Sequence, residues 1–435
     1  MNNINILEQT DFSTIPIDYS WSFADKTIKD TSYITHGYYT YPAKFIPQLA
    51  ARLIIENSEE GDIVIDPFMG SGTSVVEAIV NNREAIGTDI NEIAYLLAKV
   101  KTTPIKTAEL LQEFNKIEFD LKIRLIGQYE LFQKKAEKNL PLYGRIDYWF
   151  LPKQKDKLTI IFDRILEINN KDVKDFFLIA FAQILKSCSI WLQKSVKPTR
   201  DQHKKNYEPL ELFLNQSKKM LKKHFEYNKI LDPTIKNNIE KVRIVKCGDS
   251  RNLPCENNKA TLIVTSPPYV TSYEYADLHQ LPSLWFGYLE ELSEFRKKFI
   301  GSTYKKREDI DLKSSLADEI VLQLGKDKKS RDVKNYFADM LESFSEMKRV
   351  LKKGGRACIV IGNTEFRGVK ISNAEVFQEQ FENIGFKTFN VIHREIPSKM
   401  LPSTRDTETG QFVKVTDKNL KLAYSTEYIL NMEKL

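Results

Sequence analysis

The feature that most constrains this 435-residue chain is a strand–turn–helix–strand pattern in residues 61–101. Residues 63–65 are β-branched and lie between a glycine and a proline, so they predict a short buried strand. A Gly-rich turn follows at residues 68–73, and apolar residues at helical spacing come after it. Residues 85–90 predict a second strand with an acid near its end. Together these elements predict one βαβ unit, and therefore an α/β fold with a parallel sheet.

The turn and the acid have the composition of a small-molecule site. Glycine lets the backbone approach a ligand closely, and the start of a helix offers N–H groups without intrahelical partners. Asp89, at the end of the second strand, is well placed to accept hydrogen bonds from two ribose hydroxyls. No lysine follows the glycines, which argues against a nucleoside triphosphate. A tight strand–helix turn without a ligand is the alternative at this point.

A second constrained stretch is Thr-Ser-Pro-Pro-Tyr at residues 265–269, directly after an apolar strand pattern at residues 260–264. Each proline fixes its own φ angle and lacks a backbone donor, so the two together make a rigid corner. Ligands of open parallel sheets bind at the carboxyl ends of the strands, which is where this corner lies. The alternative is a diproline turn that only braces the end of a strand.

Composition places the chain among soluble globular proteins, with 42% hydrophobic and 29% charged residues. No apolar run approaches the roughly 18 residues of a membrane span, and the N-terminal residues lack the pattern of a secretion signal. The four cysteines are scattered, and the five histidines do not cluster with them. We therefore expect a cytoplasmic protein in a reducing compartment, without a structural metal or a membrane partner.

Positive charge is concentrated in one stretch of the chain. The net charge is only +6, but residues 186–224 contain ten lysines and arginines against three acids. Such a patch can follow the phosphates of a nucleic acid. A solvated helix face explains the same composition equally well.

The two constrained stretches together resemble the S-adenosylmethionine-dependent DNA amino-methyltransferases. Asp-Pro-Phe-Met-Gly-Ser-Gly-Thr at residues 66–73 is similar to the methionine-binding loop of that family. The corner at residues 265–269 is similar to the family's catalytic Thr-Ser-Pro-Pro-Tyr. Residues 36–54 resemble the segment that precedes the Gly-rich loop and closes over the cofactor. Serine before Pro-Pro-Tyr is typical of the cytosine-N4 type, whereas aspartate or asparagine is more typical of adenine-N6 enzymes.

The resemblance implies a fold and a cofactor. The fold is α/β, a Rossmann-like class I methyltransferase sheet of seven strands, mostly parallel with the last strand antiparallel, together with a large helical insertion. The cofactor is S-adenosylmethionine. The residues expected to bind it are Tyr41, Lys44, Phe45, Asp66, Pro67, Phe68, Gly70, Gly72, Thr73, Asp89, Ile90, Asn91, Asp249 and Ser250.

The catalytic residues that the resemblance implies are Ser266, Pro267, Pro268 and Tyr269. A sulfonium donor already carries a good leaving group, so the protein mainly has to place an exocyclic amine in line with the methyl group. The Ser266 hydroxyl and the Pro267 carbonyl are candidate acceptors for the amine protons, and the prolines hold that carbonyl rigidly. Tyr269 can stack on the base, which has to flip out of a duplex to reach it.

The expected function is site-specific methylation of the N4 amine of a flipped-out cytosine in double-stranded DNA. An adenine-N6 methyltransferase is the main alternative because it uses the same corner. A methyltransferase of tRNA guanine or protein glutamine, or an inactive DNA-binding subunit, fits less well. We also expect a cognate restriction endonuclease as a partner in a restriction-modification system, and association with a prokaryotic nucleoid through DNA.

The predicted organisation has five segments. Residues 1–101 form the cofactor-binding half of the methyltransferase domain, residues 241–290 its catalytic half and residues 332–435 its C-terminal part. Residues 102–240 are far longer than a crossover requires, so we expect a helical insertion that recognises the target. Residues 291–331 form a second, basic insertion expected to contact DNA.

The remaining elements follow from shorter patterns. Strands are predicted at residues 243–250, 356–363, 386–396 and 426–433, the last two as an antiparallel pair. Residues 337–355 predict an amphipathic helix that stops at Gly-Gly. A loop is predicted at residues 402–417, where Arg405 and Lys414 are candidates for a nucleic-acid contact. Trp149 and Phe150 in the first insertion are interpreted as core rather than as DNA wedges.

Overall fold

The structure is a computed structural model of the whole chain. It describes residues 12–42, 44, 46–127, 145–195, 197–205, 207–270, 275–288, 296–302, 310–325, 328–366, 368–397, 404–406, 420–422 and 425–435. Phe45 and Lys414 lie outside these residues, as does most of the predicted loop at residues 402–417.

Eleven strands occur among the described residues. They are β1 (Ile63–Asp66), β2 (Glu84–Asp89), β3 (Arg243–Cys247), β4 (Ala260–Thr265), β5 (Leu351–Ile361), β6 (Thr364–Phe366), β7 (Val369–Ile371), β8 (Phe386–Glu395), β9 (Thr404–Asp406), β10 (Leu420–Leu422) and β11 (Thr426–Lys434). Seven of them form one sheet in the order β3–β2–β1–β4–β5–β11–β8. The pairs β6–β7 and β9–β10 are small antiparallel ribbons.

The strand directions confirm the predicted fold class. β1 pairs with β2, β2 with β3, and β4 with β5, all in parallel. β11 is antiparallel to both β5 and β8. This is the seven-stranded, mostly parallel, Rossmann-like methyltransferase sheet with an antiparallel final strand.

Helices supply the connections between these strands. The described helices are α1 (Ile28–Thr31), α2 (Pro47–Asn57), α3 (Thr73–Val80), α4 (Glu92–Thr102), α5 (Thr107–Gly127), α6 (Arg145–Trp149), α7 (Pro152–Leu166), α8 (Lys171–Cys188), α9 (Pro209–Ile230), α10 (Pro233–Asn237), α11 (Ile239–Val242), α12 (Tyr275–Leu278), α13 (Gln280–Trp285), α14 (Ser315–Gln323), α15 (Lys328–Val350) and α16 (Asn373–Asn383). Within the described parts of the chain, none of them is long and apolar enough to cross a membrane.

The chain divides into two compact units. Unit 1 consists of Met1–Asp25, Glu256–Ser272 and Ile300–Leu435, and unit 2 of Lys26–Cys255 and Tyr273–Phe299. Unit 2 contains the Gly-rich loop and the helical insertion. Unit 1 contains the diproline corner and the antiparallel strands.

An aromatic core within unit 2 joins the helical insertion to α13. Trp149 is 2% exposed and stacks on Trp191 with ring centroids 5.2 Å apart. Phe150 is 3% exposed and packs edge-on against Trp285. The interpretation of Trp149 and Phe150 as core residues is therefore confirmed.

One predicted helix boundary is wrong. The helix expected at residues 337–355 begins earlier and ends at Val350, and the following Lys-Lys-Gly-Gly belongs to β5. The register between β4 and β5 shifts between Ala260 and Leu262, which face Leu351 and Arg356. Residues 352–355 thus form a bulge, and Gly354 has a φ of +74° that favours glycine. The loop expected at residues 402–417 is likewise interrupted, by β9.

Candidate active site

The Gly-rich loop of unit 2 is tied to the end of β2 through Asp89. The Gly70 amide donates to Asp89 Oδ2 at 2.9 Å, and the Asn91 amide donates to Oδ1 at 2.8 Å. Burial raises the pKa of Asp89 to about 6, although both backbone donors act to lower it. Each carboxylate oxygen accepts one of these amide bonds and has a second lone pair. The carboxylate can therefore also accept two hydroxyl groups of a ligand.

Tyr41 covers the first glycine of the loop. A Cβ at Gly70 would lie 3.2 Å from the Tyr41 ring, and Gly70 has a φ of +45°. Tyr41 stacks in turn on His279, with centroids 4.7 Å apart and planes at 30°. His279 is 1% exposed, and burial lowers its pKa to about 4, so the ring is neutral at pH 7. Sequence reasoning found Tyr41 but missed His279, which no local pattern marks.

Gly72 makes the turn from the loop into α3. Its φ is +75°, and a Cβ there would lie 2.8 Å from the Cβ of Ala98 on α4. A side chain at this position is excluded both by the backbone conformation and by the neighbouring helix. Glycine at this position therefore serves the turn and the close approach of α4, whereas the sequence suggested only close approach of a ligand.

A buried lysine forms a hydrogen bond with the backbone of the Gly-rich loop. Lys101 lies at the end of α4, is fully buried, and its Nζ donates to the Ser71 carbonyl at 2.6 Å. Burial lowers the pKa of Lys101 well below its usual value, and the nearby Lys44 adds to this. Lys44 donates to the His36 carbonyl at 3.1 Å, and burial lowers the pKa of Lys44 to about 8. Lys101 was missed at the sequence level because it occupies an apolar helical pattern.

A hydrogen-bonded acid lies on α3 directly after the loop. Glu77 is 1% exposed and contacts His36 Nε2 at 2.6 Å and the Tyr33 hydroxyl at 2.5 Å. Burial raises the pKa of Glu77 to about 8 and lowers the pKa of His36 well below its usual value. Both shifts favour the uncharged forms, so the pair adds no net charge behind the loop.

The other residues expected at the cofactor have varied surroundings within unit 2. Asp66 Oδ1 accepts from the Phe68 amide at 3.1 Å, and Asn91 Oδ1 caps α4 by accepting from Ile93 at 2.9 Å. The Asp249 carboxylate pairs with the Arg251 guanidinium at 2.5 and 2.8 Å. The remaining ones are buried or half-buried and lie in or beside the strand ends and turns: Pro67, Thr73, Ile90 and Ser250.

The diproline corner of unit 1 follows β4 directly. Ser266 is half-buried, and within the described residues its hydroxyl has no hydrogen-bond partner. The Pro268 carbonyl accepts from the Tyr336 hydroxyl of α15 at 2.8 Å. The Tyr269 hydroxyl donates to Glu427 Oε2 of β11 at 2.9 Å. Sequence reasoning missed Tyr336 and Glu427, because both are far from the corner along the chain.

The comparisons with known proteins agree with these two motifs. The sequence model of the N6/N4 DNA methylase family matches residues 9–100 and 260–434, which is more than half of the chain. The chain belongs to this DNA methylase family. The unmatched residues between the two ranges contain the helical insertion.

Two curated relatives match over most of their length. The Type II methyltransferase M.MvaI of Kocuria varians is 28% identical over 404 residues, covering 86% of this chain and 87% of the relative. The Type II methyltransferase M.BsoBI of Geobacillus stearothermophilus is 23% identical over 416 residues, covering 82% and 79%. A solved structure of a DNA modification methylase from Thermus thermophilus, complexed with S-adenosyl-L-methionine, is 19% identical over 43% of this chain and 51% of that chain. Its TM-score of 0.22 is too low to carry an argument.

Family membership confirms the predicted DNA methyltransferase and its cofactor, S-adenosylmethionine. The hydrogen-bonding groups at the loop fit this cofactor. The Asp89 carboxylate, which accepts one backbone amide at each oxygen, has acceptor capacity left for two ribose hydroxyls. When bound, the cofactor supplies an activated methyl group.

Proposed function

We propose that this DNA methyltransferase acts on the N4 amine of cytosine in double-stranded DNA. The observation that carries the proposal is Ser266, which stands directly before Pro-Pro-Tyr and whose half-exposed hydroxyl has no partner within the described residues. A free hydroxyl can accept a proton of an exocyclic amine. It carries no charge, so it does not act as a strong general base.

The corner is suited to activating an amine rather than to removing a proton first. The amine lone pair is delocalised into the base ring, and two acceptors on its protons favour the pyramidal, nucleophilic form. Ser266 Oγ and the Pro267 carbonyl are the acceptors we propose, and the proline ring keeps the carbonyl from turning away. Tyr269 offers a flat ring for stacking on a base that has left the duplex.

The cofactor roles we propose are confined to unit 2. Asp89 accepts the ribose hydroxyls, the turn at Gly70 and Gly72 lies beside the methionine part, and Tyr41 covers it. Asp66 and Asn91 shape the loop through their own backbone hydrogen bonds. Asp249 is already engaged by Arg251, so its contact to an adenine amine would use the remaining acceptor capacity.

The test of the methylated base is direct. DNA from a methylation-deficient host that expresses this chain is digested to nucleosides and analysed by mass spectrometry, and long-read sequencing gives the recognition sequence. We expect N4-methylcytosine in one short motif. N6-methyladenine without N4-methylcytosine would refute the proposed base.

A matched pair of serine variants tests the role of Ser266. Ser266→Ala removes the proposed acceptor, and we expect a loss of about tenfold or more in the single-turnover rate. Ser302→Ala is the control, because the Ser302 hydroxyl in the same unit also has no hydrogen-bond partner. Equal rates for the two variants would remove Ser266 from the mechanism.

Adenine-N6 methylation is the second candidate. The family that matches this chain includes both N6 and N4 enzymes, and both place an exocyclic amine at such a corner. The same nucleoside analysis separates the two activities in one experiment.

We further propose that the chain protects DNA against a cognate restriction endonuclease. The relatives M.MvaI and M.BsoBI are Type II methyltransferases, and a methyl group on a recognised base can block cleavage at that site. A plasmid isolated from expressing cells should resist cleavage by an endonuclease that recognises the methylated motif. Complete cleavage of fully methylated plasmid would contradict this role.

A further inference from the structure

The Tyr269 hydroxyl forms a hydrogen bond with the carboxylate of Glu427, which lies 158 residues further along the chain. Its Oη donates to Glu427 Oε2 at 2.9 Å. Glu427 lies near the start of β11 and is 7% exposed. A buried carboxylate is costly unless charged or polar groups compensate it, so the phenol alone would be a poor partner.

Arg394 compensates the same carboxylate from the neighbouring strand. Its Nη1 donates to Glu427 Oε1, and the two residues face each other in the register of β8 and β11. Arg394 is 3% exposed, and its other nitrogens donate to the Trp21 carbonyl at 2.7 Å and the Ser22 carbonyl at 3.3 Å. Three acceptors hold the Arg394 guanidinium in place. The guanidinium in turn orients the Glu427 carboxylate, which accepts the hydrogen bond from Tyr269.

The backbone at Gly362 lies beside the edge of the Tyr269 ring. A Cβ at Gly362, just after β5, would lie 3.1 Å from Tyr269 Cε2 and 3.5 Å from its Oη. A side chain at position 362 would therefore crowd the ring. Because the Tyr269 hydroxyl also donates to Glu427, both the position and the rotation of the ring are restricted.

We propose that Glu427 and Arg394 are positioning residues that set the angle at which Tyr269 meets the target base. The proposal rests on the proposed function only in that Tyr269 stacks on this base. A buried ion pair adds little net stability compared with an apolar pair of the same size, so holding the strands together does not require it. Directing the phenol does require an acceptor with a fixed orientation.

A double-mutant cycle tests this arrangement. Glu427→Gln and Tyr269→Phe each disturb the same hydrogen bond, and both are measured in single-turnover methylation of the DNA site that the unaltered protein modifies. We expect each to lower the rate constant about tenfold, or ~1.4 kcal/mol, and the double variant to be no slower than the slower single variant. The affinity for S-adenosylmethionine should stay unchanged in all three.

Glu433→Gln is the matched control. Glu433 lies on the same strand and also forms ion pairs, with Lys387 at 2.8 Å and Arg356 at 3.7 Å, both of them away from the corner. Its loss should leave the rate within about twofold. Additive losses in the cycle, or equal rates for Glu427→Gln and Glu433→Gln, would overturn the proposal.

The failure of the proposed base and the failure of this inference are distinguishable. If the nucleoside analysis finds methyladenine, the cytosine assignment fails, while the cycle still measures how Tyr269 is positioned for adenine. A crystal structure of the Glu427→Gln variant gives a readout that needs no activity. We expect the Tyr269 ring to turn away from Gly362, and an unmoved ring would contradict the inference.

Discussion

At the residue scale, Gly72 is the position where the loop is most sensitive to change. Gly72→Ala adds a Cβ that would lie 2.8 Å from Ala98, at a φ of +75°. We expect the free energy of unfolding to fall by more than the about 1–2 kcal/mol that a left-handed conformation costs an L-residue. We also expect weaker binding of S-adenosylmethionine, because the loop has to shift. Chemical unfolding and titration calorimetry measure the two effects.

Gly61→Ala separates backbone strain from steric exclusion. Gly61 has a φ of +82°, but no atom lies within 4 Å of the added Cβ. In this variant the free energy of unfolding should fall only by the cost of the left-handed backbone conformation, and the affinity for S-adenosylmethionine should not change. If both variants lose the same stability and affinity, contact with α4 is not what restricts Gly72.

The raised pKa of Asp89 predicts that binding of S-adenosylmethionine depends on pH. Burial raises its pKa to about 6, so the carboxyl is mostly protonated below that pH and ionised above it. Hydroxyl donors of the cofactor favour the ionised form. We therefore expect the affinity for S-adenosylmethionine to fall up to about tenfold per pH unit below pH 6, and to level off above it.

Asp89→Asn is the variant that isolates this carboxylate. An amide cannot ionise, so the binding curve measured by calorimetry between pH 5 and 8 should lose its break near pH 6. Binding should also weaken by about tenfold or more at pH 7.5, because the amide has one neutral acceptor oxygen where the carboxylate has two charged ones. An unchanged break in the variant would assign the titration to another group.

The sequence predicted those site residues that belong to local motifs. Gly70, Gly72 and Asp89 lie in one βαβ unit, which made them candidates for a common ligand, and the resemblance to the methyltransferases named that ligand. Lys101 and Glu427 were not predicted, because their partners are brought together only by the folded chain. A buried charged residue in an apolar pattern has no distinguishing mark until its hydrogen-bond acceptor is known.

At the element scale, α15 braces the corner through one tyrosine. Tyr336→Phe removes the donor to the Pro268 carbonyl but keeps the ring, which stacks on Phe377. We expect the single-turnover rate to fall up to about tenfold, since a neutral hydrogen bond contributes about 0.5–1.5 kcal/mol. Cofactor affinity should not change.

Tyr428→Phe is the control for this brace. Tyr428 is also buried in unit 1 and donates to a backbone carbonyl, that of Phe12, at 3.4 Å. It should lose a similar or smaller amount of stability and retain the rate. A rate loss equal to that of Tyr336→Phe would mean that the effect comes from general loosening of the unit.

Element boundaries show where local patterns stop being informative. Strands β1, β2 and β4 agree with the prediction within about two residues, because β-branched runs between turn residues have few other solutions. Residues 352–355 were assigned to a helix stop because Gly-Gly after an amphipathic pattern favours one. Their place in a strand bulge depends on the pairing with β4, which the sequence around them does not contain.

At the scale of the whole molecule, charge distribution predicts salt-dependent DNA binding. Lys197 and Arg200 are exposed in the basic stretch, and Arg200 lies 4.2 Å over the half-exposed Tyr148 ring. We expect Lys197→Gln combined with Arg200→Gln to weaken DNA binding and to reduce the slope of log Kd against log salt by about 1–2. Fluorescence anisotropy over a range of salt concentrations measures both.

A second pair of lysines controls for net charge. Lys352 and Lys353 are equally exposed but lie in the strand bulge of unit 1. Changing both to Gln removes the same two charges and should leave the slope nearly unchanged. Equal slopes for the two double variants would show that the basic stretch is only a solvated helical surface.

The architecture of the sheet was predictable, whereas the content of the insertion was not. One βαβ unit follows from strand and helix patterns, whereas the seven-stranded sheet with an antiparallel last strand is what the resemblance to the methyltransferase family implied. Residues between 101 and 259 lie outside the family match, and although the sequence favoured a core role for Trp149 and Phe150, it did not predict the rings they pack against. Only packing distinguishes the two uses of Trp149.

The contacts of Trp21 and Ser22 with Arg394 have a consequence for how unit 1 is assembled. These first residues leave the ribosome more than 370 positions before their partner exists. Their carbonyls can accept from Arg394 only once β8 has been synthesised. Contacts that distant in sequence slow folding. In the arrangement proposed above, Tyr269 can therefore be held by Glu427 only after both β8 and β11 have been synthesised.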